Sequence, residues 1–296
     1  MNNEEAVNMQ IYTLNAFAKT EYGGNPAGVV LEADFLTATD MQKIANHIGF
    51  SETAFVKKSN KADFKVEFYT PNAEVDLCGH ATIATFTLLA YKGIIKEGLY
   101  SQETKSGILG IECGDENVIY MEQKNPEFYE TLDKKEIAGS LNIKEDEIND
   151  GLPIQIVSTG LKDILIPIKS LSNLHDIKPD FYKISTVTKK YGVVGYHLFS
   201  LETKNNSTAH CRNFAPLYDI PEEAATGTSN GALSCYLYKH GIIHEKKAKN
   251  LVFEQGYSMG KPSEILSSLE IINNEIKRVK VGGTALNIEE KEMAIF

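Results

Sequence analysis

An α+β chain of two similar lobes is predicted by three observations. They are a duplicated strand–glycine–helix unit, alternating strand patterns along most of the chain, and a length of 296 residues, which one ordinary core rarely serves. The duplication is the most specific of the three. Glu74 to Glu97 set against Glu222 to Glu245, a shift of 148 residues, pairs Glu74, Gly79, Ala84, Leu89, Gly93, Ile94, Ile95 and Glu97 with Glu222, Gly227, Ala232, Leu237, Gly241, Ile242, Ile243 and Glu245 without a gap. Ordinary composition gives about one or two matches over such a span. A period of half the chain is far too long for a solenoid, so it implies two pseudo-symmetric lobes, with a cleft between them as the favoured place for a ligand.

The elements follow in order. Met9 to Phe17 alternates like a strand and runs into the turn signal Gly23-Gly24-Asn25-Pro26. A helix is expected from Ala38 to His47, opened by Thr37 with Asp40 in a capping arrangement and stopped at Gly49. Phe64, Val66 and Phe68 alternate in a further strand ending near Pro71, and Gly79 to Tyr91 is helical, closing at Gly93. Strands dominate from Leu99 to Met121. The polar stretch Gln123 to Asp150, with Pro126 and two acidic helical patches, reads as the linker. Beyond it come strands from Pro153, a helix over Asp180 to Tyr191, a strand over Val193 to Ser200, and the second copy of the duplicated unit. The lobes are therefore expected at 1–125, joined by a last strand at 286–296, and at 126–285.

Composition narrows the function. A net charge of -10 repels phosphate backbones and anionic bilayers, so neither nucleic acid nor membrane is an expected partner, whereas a small acid remains possible through local groups. Cys78, Cys113, Cys211 and Cys235 are scattered, which fits a reducing cytoplasm rather than a disulfide scaffold. No leader pattern and no apolar run of about 18 residues is visible. There is also no nucleotide-binding glycine fingerprint and no spaced His/Cys set, so neither cofactor nor metal is expected. What remains is proton transfer by side chains.

Each copy of the duplication sets a glycine at the mouth of a helix, in Cys78-Gly79-His80-Ala81 and Thr226-Gly227-Thr228-Ser229. Free N–H groups and the positive helix end there make a seat for a carboxylate, although either glycine taken alone need only permit a tight turn. Adding 148 to Cys78 gives Thr226, whose hydroxyl is too weak an acid to act as a second thiol base. A symmetric two-cysteine mechanism is thereby disfavoured.

The motifs Asn15-Ala16-Phe17, Gly24-Asn25-Pro26-Ala27, Ser51-Glu52-Thr53-Ala54-Phe55, Cys78-Gly79-His80-Ala81-Thr82, Glu223-Ala224-Ala225-Thr226-Gly227 and Glu254-Gln255-Gly256 stand in the order of the PhzF (phenazine biosynthesis F-like) family. The resemblance runs from about residue 10 to 285. It implies a diaminopimelate epimerase-like fold, each lobe a mostly antiparallel sheet around a central helix beginning near Gly79 or Gly227. It also implies a cofactor-independent isomerase, commonly a homodimer, acting on a small carboxylate-bearing substrate. By the same resemblance Glu52 is the catalytic acid/base, His80 and Glu223 are supporting polar groups, and Gly79, Gly227, Thr228 and Ser229 bind substrate. Glu223 departs from the shorter Asp of better-characterised members. Two other readings remain: an epimerase using Cys78 as a base, and a non-catalytic protein that binds small acids.

Overall fold

The computed structural model describes residues 7–295. The chain divides into two compact units, residues 1–121 with 283–296 and residues 122–282.

The first unit opens with β1 (Val7–Ala16) and β2 (Asn25–Val30), an antiparallel pair. The turn between them needs its glycine. Gly24 has φ +84°, and a Cβ there would lie 2.6 Å from the Ala16 carbonyl oxygen. Helix α1 (Ala38–Ile48) carries the chain to β3 (Thr53–Lys57), which lies parallel to β2. The expected capping box is present: Thr37 Oγ1 accepts from the Asp40 N–H at 3.2 Å and Asp40 Oδ2 from the Thr37 N–H at 3.0 Å. Gly49, at φ 71°, ends the helix. Then come β4 (Phe64–Tyr69), the short β5 (Glu74–Val75), α2 (Gly79–Tyr91), β6 (Gly98–Thr104), β7 (Gly107–Cys113) and β8 (Ile119–Gln123). The sheet order is the C-terminal strand Ala285–Ile295, then β1, β2, β3, β4, β6, β7 and β8, with β5 paired beside β4. Only β2–β3 and β4–β6 are parallel.

The second unit contains β9 (Glu127–Thr131), α3 (Lys134–Leu141), β10 (Gln155–Ser158), β11 (Lys162–Pro167), α4 (Leu171–Asp176), α5 (Phe181–Tyr191), β12 (Gly195–Ser200) and β13 (Ala209–Ala215). It continues through β14 (Ile220–Glu223), α6 (Gly227–Lys239), α7 (Glu245–Ala248), β15 (Leu251–Gln255), β16 (Ser263–Ile272) and β17 (Glu275–Gly283). Its order is β9, β10, β11, β12, β13, β15, β16, β17, with β14 beside β13 and only β11–β12 and β13–β15 parallel. The pairings repeat those of the first unit strand for strand, so the duplication read from 24 residues extends over the whole unit.

Helices α2 and α6 are the equivalent elements, each 13 residues long and each starting at the duplicated glycine. Both are apolar or small-residued all round, the signature of a helix buried on every side. Residues His80 to Leu89 of α2 and Ser229 to Leu237 of α6 are all buried. Helix α2 packs on β1, β2 and β3, and α6 on β10, β11 and β16.

Residues 123–150 are not a linker, contrary to the sequence reading. They form β9 and α3, and Ile137, Ala138 and Leu141 point from one face of α3 into a core that also holds Ile148, Ile164 and Leu198. Lys134, Lys135 and Glu136 of the same helix are exposed or half-buried. Among the described residues no helix is long and apolar enough to cross a membrane.

Candidate active site

In the first unit, three segments remote in sequence bring polar side chains to the N-terminus of α2. Glu52 sits just before β3, with its carbonyl accepting from the Gly28 N–H at 3.1 Å. The close pairing requires glycine at 28, where a Cβ would lie 2.7 Å from Thr53 Oγ1. Asn25 begins β2 directly after the left-handed Gly24. Cys78 is the N-cap of α2 and His80 lies in its first turn.

Glu52 Oε2 lies 3.2 Å from His80 Nε2. Ser51 Oγ is 3.4 Å from the same nitrogen, while Cys78 Sγ and Asn25 Nδ2 are each 3.4 Å from Nδ1. A carboxylate can only accept, so the network assigns the proton to Nε2 and leaves Nδ1 as the acceptor. Burial lowers the His80 pKa, partly offset by the nearby Glu52 charge. The ring is therefore neutral near pH 7. It holds one oxygen of a partly exposed glutamate and leaves the carboxylate's other lone pairs open. The Cys78 side chain makes no cap bond, so the N–H groups of the first turn, Gly79 included, have no side-chain acceptor at the cap.

The second unit has neither thiol nor imidazole in the first turn of its equivalent helix. At positions 148 residues later stand Thr226 and Thr228. Thr226 Oγ1 donates to Glu223 Oε2 at 2.5 Å and accepts from Gln255 Nε2 at 2.9 Å. Gln255 also donates to the Glu223 carbonyl, and its own amide oxygen accepts from the Thr226 N–H and from Asn230 Nδ2. Gly227 and Thr228 are half-buried at the mouth of α6, which has no side-chain cap bond either.

Ser229 is 2% exposed and points inward, donating to Asp163 Oδ2 at 2.5 Å and accepting from Asn213 Nδ2 at 3.2 Å. Asn213 Nδ2 also meets His197 Nδ1 at 3.2 Å, and His197 Nε2 meets Asn230 Oδ1 at 3.3 Å. Every donor and acceptor in this chain is consistent with one direction, provided His197 stays neutral. Burial lowers its pKa to about 4. Burial likewise pushes Asp163 up to about 6, against the hydrogen bond from Ser229 and the nearby Gly195 N–H. Asp163 Oδ1 lacks a hydrogen bond of normal geometry.

Residues 14–291 match the family described as Phenazine biosynthesis-like protein, PhzC-PhzF. The chain belongs to this family. It is 32% identical to a PhzF-family protein of Bacillus anthracis whose crystal structure superposes with a TM-score of 0.88, over 98% of this chain and 100% of that one. It is 34% identical to an uncharacterised isomerase of Bacillus subtilis over 97% of this chain and 99% of the relative. A trans-2,3-dihydro-3-hydroxyanthranilate isomerase of Pseudomonas chlororaphis is 28% identical over 92% and 95% of the two chains. The fold is the α+β, diaminopimelate epimerase-like one, and the protein is a PhzF-family isomerase.

In this PhzF-family chain the structure brings together Glu52, His80 and Gly79 in the first unit, and Glu223, Gly227 and Thr228 at one helix mouth of the second. Ser229 is adjacent in sequence, but its hydroxyl proton is committed to Asp163. Asn25, Ser51 and Asp163 were not singled out from the sequence. Asn25 and Ser51 lay inside quoted motifs, whereas Asp163, in an apolar strand, could have been flagged as a charge where the pattern predicts burial.

Proposed function

We propose that this isomerase moves a proton between two positions of a small, unsaturated, carboxylate-bearing substrate, with Glu52 as the general acid/base. The observation that carries the reading is the Glu52–His80 pair at the mouth of α2. A catalytic carboxylate must be held in one orientation while keeping lone pairs free, and a neutral imidazole N–H on a single oxygen does that without neutralising it. Glu52 takes a proton from carbon as the C–H electron pair spreads into the adjacent unsaturation. The resulting carboxylic acid returns a proton at another carbon, so the atoms balance without an oxidant or reductant. Backbone N–H groups at Gly79, and at Gly227 with the Thr228 hydroxyl, are suited to receive carboxylates. Glu223, with Thr226 on one oxygen, acts as a supporting polar group. The named activity of the Pseudomonas relative makes dihydro-hydroxyanthranilate-type rings the first compounds to test.

The test is solvent deuterium incorporation into such acids, with binding followed separately by thermal shift. Wild type should bind and exchange, whereas Glu52→Gln should bind within a few-fold and exchange at least about a hundredfold more slowly. Undiminished exchange in that variant would overturn the assignment. The contact of Cys78 Sγ with His80 Nδ1 favours a second reading, epimerisation with the thiol as one base. Full activity of Cys78→Ala would remove it.

A further inference from the structure

We propose that Gln255 is a positioning residue for the Glu223 carboxylate, acting through the Thr226 hydroxyl. The inference rests on the reading of Glu223 as a supporting group in the proton shift, and it names what holds that group in place. Gln255 ends β15, where it pairs with Ser263, and is wholly buried. Its side chain uses all four of its hydrogen-bonding capacities. Nε2 donates to the Glu223 carbonyl and to Thr226 Oγ1, each at 2.9 Å. Oε1 accepts from the Thr226 N–H at 3.2 Å and from Asn230 Nδ2 at 2.9 Å. Two of these partners are backbone groups of one polarity, a carbonyl that can only accept and an N–H that can only donate. The amide therefore has one orientation, because turning it over would break both contacts.

That orientation decides where the Thr226 proton goes. Thr226 Oγ1 receives a hydrogen from Gln255, so its own hydrogen points elsewhere, and Glu223 Oε2 lies 2.5 Å away. A short hydrogen bond to a carboxylate oxygen holds that oxygen in place. The backbone is braced at the same point. Gly256 has φ +80°, and a Cβ there would lie 2.6 Å from the Ala224 carbonyl oxygen, so the segment between Glu223 and Thr226 is seated directly on the end of β15. The neighbouring carboxylate is bound elsewhere. Glu222 accepts from Arg212 Nε at 2.8 Å, from Arg212 Nη2 at 2.9 Å and from Ser258 Oγ at 2.6 Å. Successive side chains of β14 point to opposite faces, so of the two adjacent glutamates only Glu223 meets the N-cap of α6. Without the amide the Thr226 hydroxyl can turn, and Glu223 loses its anchor.

Solvent deuterium exchange and crystal structures of three variants test the assignment. Gln255→Met keeps the volume and removes the amide, Thr226→Val keeps the shape and removes the hydroxyl, and Thr226→Ser keeps the hydroxyl. With a dihydro-hydroxyanthranilate as the probe, Gln255→Met and Thr226→Val should each slow exchange at saturation about 10- to 100-fold, with KM changed less than about threefold. Thr226→Ser should exchange within about threefold of wild type. In a Glu223→Ala background, Gln255→Met should cost less than about twofold more, because the group it positions is already gone. A merely structural role would cost the same in both backgrounds, and that result in folded proteins would overturn the proposal. The crystal structures need no substrate. In Gln255→Met and Thr226→Val the Glu223 carboxylate should be displaced by more than about 1 Å from its wild-type place, and an unmoved carboxylate in both would equally overturn the proposal. A wild type that exchanges nothing would sink the proton-shift reading instead, and the crystal structures alone would then decide the role of Gln255. Melting establishes that each variant is folded; if Gln255→Met is not, Thr226→Val carries the same comparisons.

Discussion

Replacing Asp163 by Asn should change how stability responds to pH, and the size of the change follows from burial. The carboxyl is 3% exposed, and its pKa is raised from the ordinary 3.8 to about 6, so the folded chain binds this proton more tightly than the unfolded chain. Its contribution is fully present below pH 3.8 and is lost as pH rises through about 6. At about 1.36 kcal/mol per pH unit, the loss is about 3 kcal/mol. His197 acts oppositely. Its pKa falls from 6.5 to about 4, so its contribution is present above 6.5 and lost as pH drops toward 4. In the wild type the two nearly cancel between pH 4 and 6.5.

Asp163→Asn removes one side of that balance. Relative to wild type, the variant should therefore gain about 3 kcal/mol between pH 4 and pH 7. Urea unfolding followed by amide exchange in β11 to β13, repeated at half-unit pH steps, reads the second unit directly. A difference between variant and wild type that stays flat within about 0.5 kcal/mol would refute the reasoning.

Two further outcomes are expected. Gly256→Ala places a Cβ 2.2 Å from the Lys261 carbonyl oxygen and 2.6 Å from that of Ala224, at φ +80°, so it should destabilise the second unit by at least about 3 kcal/mol, measurable as a lowered melting temperature. Glu254 is wholly buried; burial raises its pKa, but hydrogen bonds from the Lys204 N–H, His210, Asn205 and Ser207 outweigh that and hold it at about 2. Its contribution is present above pH 4.5 and is lost as pH falls toward 2, so Glu254→Gln should flatten the acid limb by about 3 kcal/mol in acid-denaturation curves.

Patterns that act locally were legible in the sequence. The Thr37–Asp40 capping box, the stop at Gly49 and the helix over 181–191 needed only neighbours along the chain. Helices α2 and α6 were found because a duplicated glycine marks both starts. The stretch 123–150 misled because its polarity is one-sided: the apolar residues at 137, 138 and 141 share a face that composition alone does not reveal. The site was legible only as motifs. The contact of Glu52 and Asn25 with the two nitrogens of one imidazole depends on β2, β3 and α2 converging, and no spacing rule predicts that.

The duplication also shows how two helix mouths on one frame come to carry different side chains. The two units share pairings, helix lengths and starting glycines, so their α2 and α6 ends offer the same backbone donors. Divergence is confined to the side chains set on that frame. In the first unit stand Cys78 and His80, with Glu52 from just before β3, the group to which we assign the proposed proton transfer. In the second unit Thr226, Thr228 and Ser229 can only give and accept hydrogen bonds, and two of them are tied to the carboxylates of Glu223 and Asp163. A buried amide–imidazole chain through Asn213, His197, Asn230 and Gln255 then links those carboxylates within one unit. Such a network rigidifies only when each member is satisfied, and a single deletion leaves a buried orphan costing about 1–3 kcal/mol. The second helix mouth is thus fixed by its hydrogen bonds, whereas in the first unit Glu52 keeps lone pairs open for the proton transfer we propose.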